Sequence, residues 1–107
     1  MPTIIRNEFN KYKVQYYTDV NATALIAIIS CKMNSTYIGT MRFYKNGSTL
    51  PVNQESGNAV VLHYYEKSIP DILNILQNEK PLYLNLNTIT NIGWLQTLDE
   101  VVGEEES

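Results

Sequence analysis

Alternation of apolar and polar residues dominates the first two-thirds of the chain. Across Lys11–Thr18, Tyr12, Val14 and Tyr16 alternate with Lys11, Lys13, Gln15 and Tyr17, the period-two pattern of a strand. Ala22–Met33 sets Leu25, Ala27, Ile29 and Cys31 against Ala24, Ile26, Ile28 and Ser30. Both faces are apolar, which predicts a central strand covered on each side. Ala and Leu would also suit a helix. The β-branched Ile26, Ile28 and Ile29, and the turn signal Asn34-Ser35-Thr36, favour the strand. Tyr37–Lys45 continues the alternation, with Tyr37, Gly39, Met41 and Phe43 opposite Ile38, Thr40, Arg42 and Tyr44. Asn46-Gly47 then predicts a tight hairpin, because both residues tolerate the positive φ of a type I′ turn. A short return through Thr49-Leu50 is stopped by Pro51, and polar Val52–Gly57 reads as the most mobile internal loop. Asn58–Glu66 is a further strand, with Val60, Leu62 and Tyr64 facing away from Val61, His63 and Tyr65.

The period then changes. Ser68 stands three residues before Asp71 with Pro70 in the first turn, a helix-start signal. Ile69, Ile72, Leu73 and Leu76 form one apolar stripe, and Pro81 forbids continuation, so a helix is predicted over about Ile69–Glu79. Leu82–Thr90 alternates again, Asn91-Ile92-Gly93 turns, and Trp94–Leu98 is the last strand. The expected fold class is α+β: a curved antiparallel β-sheet with one amphipathic helix followed by a β-hairpin. It forms a single domain over residues 1–98, with an acidic, flexible tail over 99–107. One helix with one stripe covers only one face of such a sheet. The other face must be solvated, meet a second subunit or bind something, and open edges invite pairing. A homo-oligomer is therefore expected, most simply a two-fold dimer.

Length and composition narrow the picture. At 107 residues the chain suits one domain with a single core. No apolar run reaches the ~18 residues of a membrane span, so no membrane partner is expected. Met1-Pro2-Thr3 opens without a basic-then-apolar leader, which predicts a cytoplasmic protein. The net charge of −3 is unevenly placed. The first 54 residues carry six basic groups against two acidic ones, and the remainder carries two against nine. Five of those acids lie in the tail, where they could compete with a polyanion for a basic face.

Candidate chemistry is sparse. A single cysteine, Cys31, excludes an internal disulfide and reads as a buried, inert thiol. The single histidine, His63, sits among apolar and aromatic residues and reads as structural rather than catalytic. Asp71 and Glu79 lie too far apart on the helix to act as a pair, and the five glycines form no phosphate-cradling cluster. Asn21-Ala22-Thr23, Asn34-Ser35-Thr36 and Asn46-Gly47-Ser48 match the glycosylation pattern but read as turn chemistry. No nucleophile–base set emerges, so a non-enzymatic protein without cofactor or metal is expected. One constellation remains. Lys11, Lys13 and Tyr17 share one face of their strand, and Arg42 and Tyr44 share one face of theirs. Cations neutralise phosphates and exposed rings stack on splayed bases, so this face suits single-stranded nucleic acid. The alternative is that the eight tyrosines merely cover half-buried strand surface, and that the sheet face is an interface of a self-assembling protein-interaction module.

The predicted order is a curved antiparallel sheet with a helix after its fourth main strand, and the segments Tyr37–Gly47 and Asn78–Leu84, with the closing Val102-Gly103-Glu104-Glu105-Glu106, carry a family likeness. In this the chain resembles the Whirly and positive-cofactor-type single-stranded-DNA-binding transcriptional regulators, and small bacterial and cyanobacterial proteins of unknown function with that fold. The resemblance implies a non-enzymatic Whirly-like fold that assembles through its helix and sheet edges.

Overall fold

The described residues form eight strands, in two sheets, and one α-helix. A computed structural model describes residues 3–18 and 24–98. The acidic segment 99–107 and the start of the strand expected from Ala22 lie outside them. The strands are β1 (Ile4–Phe9), β2 (Lys11–Tyr16), β3 (Leu25–Met33), β4 (Thr36–Tyr44), β5 (Gln54–Ser56), β6 (Ala59–Tyr65), β7 (Leu82–Asn87) and β8 (Gly93–Thr97); helix α1 (Ile69–Asn78) follows β6. The fold is α+β, mostly sheet, with one short helix. That helix is not long and apolar enough to cross a membrane.

The single antiparallel sheet read from the sequence is in fact two. A five-stranded sheet has the order β2-β3-β4-β6-β5, and a three-stranded sheet the order β1-β7-β8. Nothing in the alternation of a strand says which sheet it joins. The junction is made at Asn10, where the chain bends from β1 in one sheet to β2 in the other. Asn10 Nδ2 donates to Asn34 Oδ1 at 3.0 Å, and the Asn34 amide donates back to Asn10 Oδ1 at 2.8 Å. This side chain ties the bend to the β3–β4 turn. Strand β1 itself escapes a sequence reading because one of its inward positions is polar. Asn7 spends its amide on the carbonyls of Ile38 (3.1 Å) and Asn58 (2.9 Å), stitching the two sheets together.

The sheet is also not wholly antiparallel, since β4 and β6 pair in parallel. The expected Asn46-Gly47 hairpin therefore does not form, although Gly47 has the positive φ (+88°) that a turn needs. Its neighbours draw the chain across the end of β6 instead. Asn46 Oδ1 accepts from the Lys67 amide, and the Tyr65 hydroxyl donates to the Ser48 carbonyl at 2.6 Å. The chain then enters β5, inside the segment read as a mobile loop. Gly57, at φ +65°, turns it back into β6.

The helix and the last hairpin follow the expectation with small changes. Helix α1 starts and stops within a residue of its predicted bounds. Ser68 makes no capping bond, because its backbone is already helical (φ −84°, ψ −10°) at the end of a 3-10 turn over Glu66–Ser68. The β7–β8 hairpin closes through Asn87, whose Oδ1 accepts from the amides of Ile89 (2.9 Å) and Thr90 (3.1 Å). Ala27, Ile29, Cys31, Met41, Phe43, Val60 and Leu62 of the large sheet meet Leu82, Leu84 and Leu86 of β7, Phe9 of β1, and Ile72 and Leu76 of α1 in one core. The fit is close at Gly39, where a Cβ would run into the Val60 carbonyl oxygen and lie 2.9 Å from Leu84 Cδ1. The helix thus shares the task of covering one side of the sheet with a second sheet. The opposite side carries the candidate chemistry.

Candidate functional site

Strand register decides which of the candidate side chains stand together. Lys13 pairs with Ser30, and Ser30 with Thr40. Directly paired residues share a face, as do residues two apart. Lys11, Lys13, Tyr17, Arg42 and Tyr44 therefore all lie on the outer face of the five-stranded sheet, away from the core. The face adds two residues that the sequence reading missed. Lys32 pairs with Lys11, and Tyr37 pairs with Lys32.

Tyr37 arrives there by a β-bulge. The pairing runs Cys31 with Gly39 and then Lys32 with Tyr37, so Ile38 is an extra residue on β4. Strict alternation put Tyr37 on the face of Gly39, Met41 and Phe43. The bulge flips it across the sheet, because a one-residue slip exchanges the faces. Ile38 packs against the core instead, and Asn7 Nδ2 holds its carbonyl. No local signal marks this bulge in the sequence. Lys32 was visible by parity with Ile28 and Ser30. The result is a recess of about 240 Å³ lined by Lys11, Tyr12, Lys13, Ser30, Lys32 and Tyr37.

The centre of the face is tighter. Arg42 is half-buried, paired with Ile28 on one side and His63 on the other. Three buried polar atoms there have no hydrogen-bond partner: Thr40 Oγ1, Arg42 Nε and His63 Nδ1. Burial, and then the Arg42 charge, lower the His63 pKa below its ordinary 6.5, so the imidazole is neutral at pH 7. Its ring lies 5.7 Å from that of Tyr44. Tyr44 is only 7% exposed and so offers little ring face for stacking, whereas Tyr17 and Tyr37 are 39% and 46% exposed. Among the described residues, the outer-facing positions of β2, β3, β4 and β6 include no carboxylate. Cys31 lies on the opposite, core side, where burial pushes its thiol up to about 12. It is no nucleophile at neutral pH. Among the described residues, no group of three His, Cys, Asp or Glu side chains could hold a metal ion.

No family model, curated protein or solved structure matches the chain. The functional reading therefore rests on this face.

Proposed function

We propose that the protein is a non-enzymatic binding module that takes single-stranded nucleic acid on the outer face of its five-stranded sheet. The observation that carries this reading is the gathering of Lys11, Lys13, Lys32 and Arg42 on one face with the exposed rings of Tyr17 and Tyr37 and, among the described residues of β2, β3, β4 and β6, no facing carboxylate. The ammonium groups supply sequence-independent attraction to phosphates, and the rings supply a platform on which any base stacks. A sheet face is open and shallow, which suits a flexible strand with splayed bases better than a rigid duplex.

Titration of the full chain with a fluorescently labelled single-stranded oligonucleotide at several salt concentrations tests the proposal. Affinity should fall with salt by a log–log slope of roughly −0.7 per neutralised phosphate. Lys13→Ala or Lys32→Ala should flatten the slope by about one such contact. Absence of binding even at low salt would overturn the proposal.

A further inference from the structure

The two edges of the large sheet are managed very differently. Strand β5 is three residues long and carries Glu55, features that keep an edge single. Strand β2 is twice as long, and its only charges, Lys11 and Lys13, both lie in its first half and on the outer face. Its register with β3 is unbroken from Lys11 to Tyr16, it contains no proline, and all six of its residues are exposed. The amide of Tyr17 donates to the Ile26 carbonyl at 2.8 Å, so from Lys11 onward the odd-numbered residues direct their backbone groups at β3. The amides and carbonyls of Tyr12, Val14 and Tyr16 then point away from the sheet, toward an edge that no described strand pairs.

The side chains of these same three residues stand on the core side of the sheet, paired with the buried Cys31, Ile29 and Ala27. Yet they extend past the cover that the second sheet and the helix provide, with Tyr16 64% exposed. Beside them lies a groove of about 720 Å³ between the start of β2, the last turn of α1 and the start of β7. Phe9, Tyr12, Met33, Leu76 and Leu82 contribute its apolar walls.

We infer that β2 pairs antiparallel with β2 of a second copy of this chain, about a two-fold axis through Val14. Charge and length together select this register, since an axis at Gln15 or Tyr16 would leave the first residues of β2 without a partner in the strand. With Val14 opposite Val14, Tyr12 faces Tyr16, Lys13 faces Gln15 and Lys11 faces Tyr17, so no lysine opposes a lysine. Moving the axis to Lys13 would set two ammonium groups directly opposite each other, which destabilises a strand pair. The chosen register also brings Tyr16 of the second copy opposite Tyr12, at the wall of the apolar groove. Because the axis is perpendicular to the sheet, each copy makes the same contacts. It also leaves both basic faces on the same side, so the two sheets join into one ten-stranded surface. The pairing does not depend on nucleic-acid binding, since its signature is mass rather than affinity.

Sedimentation of the full chain from micromolar to millimolar concentration tests the inference, with dimer mass expected. Val14→Lys, which places two cations on the axis at an already exposed position, should give the monomer mass with an unchanged far-ultraviolet spectrum. Should that variant not fold, cysteine crosslinking still decides the matter. Hydrogen-bonded antiparallel partners stand about 5.5 Å apart at Cα, within disulfide reach. Val14→Cys should oxidise to a covalent dimer, whereas Lys13→Cys and Gln15→Cys should not, and the buried Cys31 should stay out of the reaction. A wild-type monomer at all concentrations would overturn the inference and leave the edge to a strand of some other protein. A dimer that persists in Val14→Lys, or crosslinks through position 13 or 15 and not 14, would overturn it equally.

Discussion

The two faces of the five-stranded sheet are made from alternate residues of the same strands, yet they obey different rules. On the core side, Ala27, Ile29, Cys31, Met41, Phe43, Val60 and Leu62 are buried and wholly apolar. One residue along each strand, the outer side presents Ser30, Lys32, Thr40, Arg42 and His63. Three of its polar atoms are buried without a partner. A buried, unpaired donor or acceptor costs stability. The core face therefore holds the fold together, and the outer face gives up part of that stability to keep charge and hydrogen-bonding capacity in place.

The largest expected effect falls on the core face. Leu62→Ala should cost about 2–5 kcal/mol in urea denaturation, as for other buried leucines. Ile28→Ala, on the half-buried outer face, should cost about half as much or less. Equal losses at the two positions would erase the distinction between the faces.

Next come the two tyrosines of the outer face, which exposure separates. Tyr17→Ala should remove roughly 1–3 kcal/mol of single-strand affinity while leaving the denaturation midpoint nearly unchanged. Tyr44→Ala should act in the opposite way and lower the midpoint, because that ring is buried against His63. A binding loss at Tyr44 without a stability loss would show that its ring is accessible after all.

Thr40→Val keeps the shape of a side chain that is 5% exposed and removes its unpartnered hydroxyl. It should stabilise the protein by about 1 kcal/mol, the reverse of the usual sign for a substitution. A destabilisation of similar size would mean that the hydroxyl has a partner in solution.

Near neutrality the smallest effect is that of pH. His63 has a folded pKa below its ordinary value, so between the two values the unfolded chain binds the extra proton. The stability it contributes is complete above pH 6.5 and is lost as pH falls through the lowered folded value. His63→Gln should flatten the thermal midpoint over that window. At the alkaline end Cys31, on the core face, is raised from 9.0 to about 12, so its share of stability is complete below pH 9 and lost as pH rises toward 12. Buried Tyr64, raised from 10.0 to about 12, acts in the same direction, so Cys31→Ala should lessen that alkaline limb without abolishing it and leave the acidic one alone.

Much of the local structure was legible in the residues. The helix, the β7–β8 hairpin and the apolar sides of β3, β4 and β6 follow from period and turn chemistry, which act over a few neighbouring positions. The candidate site was legible in part. Lys11, Lys13, Tyr17 and Arg42 do share one outer face, as parity along each strand allows. Lys32 followed the same parity and was simply passed over. Tyr44 also lies on that face, but burial is set by neighbours distant in sequence, and these take its ring out of reach.

What the sequence by itself determined was the alternation within each strand, the single helix and its stripe, and the uneven charge. These are consequences of side-chain geometry repeated every two or 3.6 residues. Only the tertiary structure decided that the strands divide between two sheets, that β4 and β6 run parallel, and that Tyr37 changes face. Each of those outcomes depends on contacts between residues far apart in the chain. Asn10 bonds to Asn34, Asn7 bonds to the Ile38 and Asn58 carbonyls, and Tyr65 bonds to Ser48. A period-two pattern states which side chains lie on the same side of one strand. It carries no information about the neighbouring strand, its direction or its register, because those are set by hydrogen bonds and packing that local periodicity does not encode.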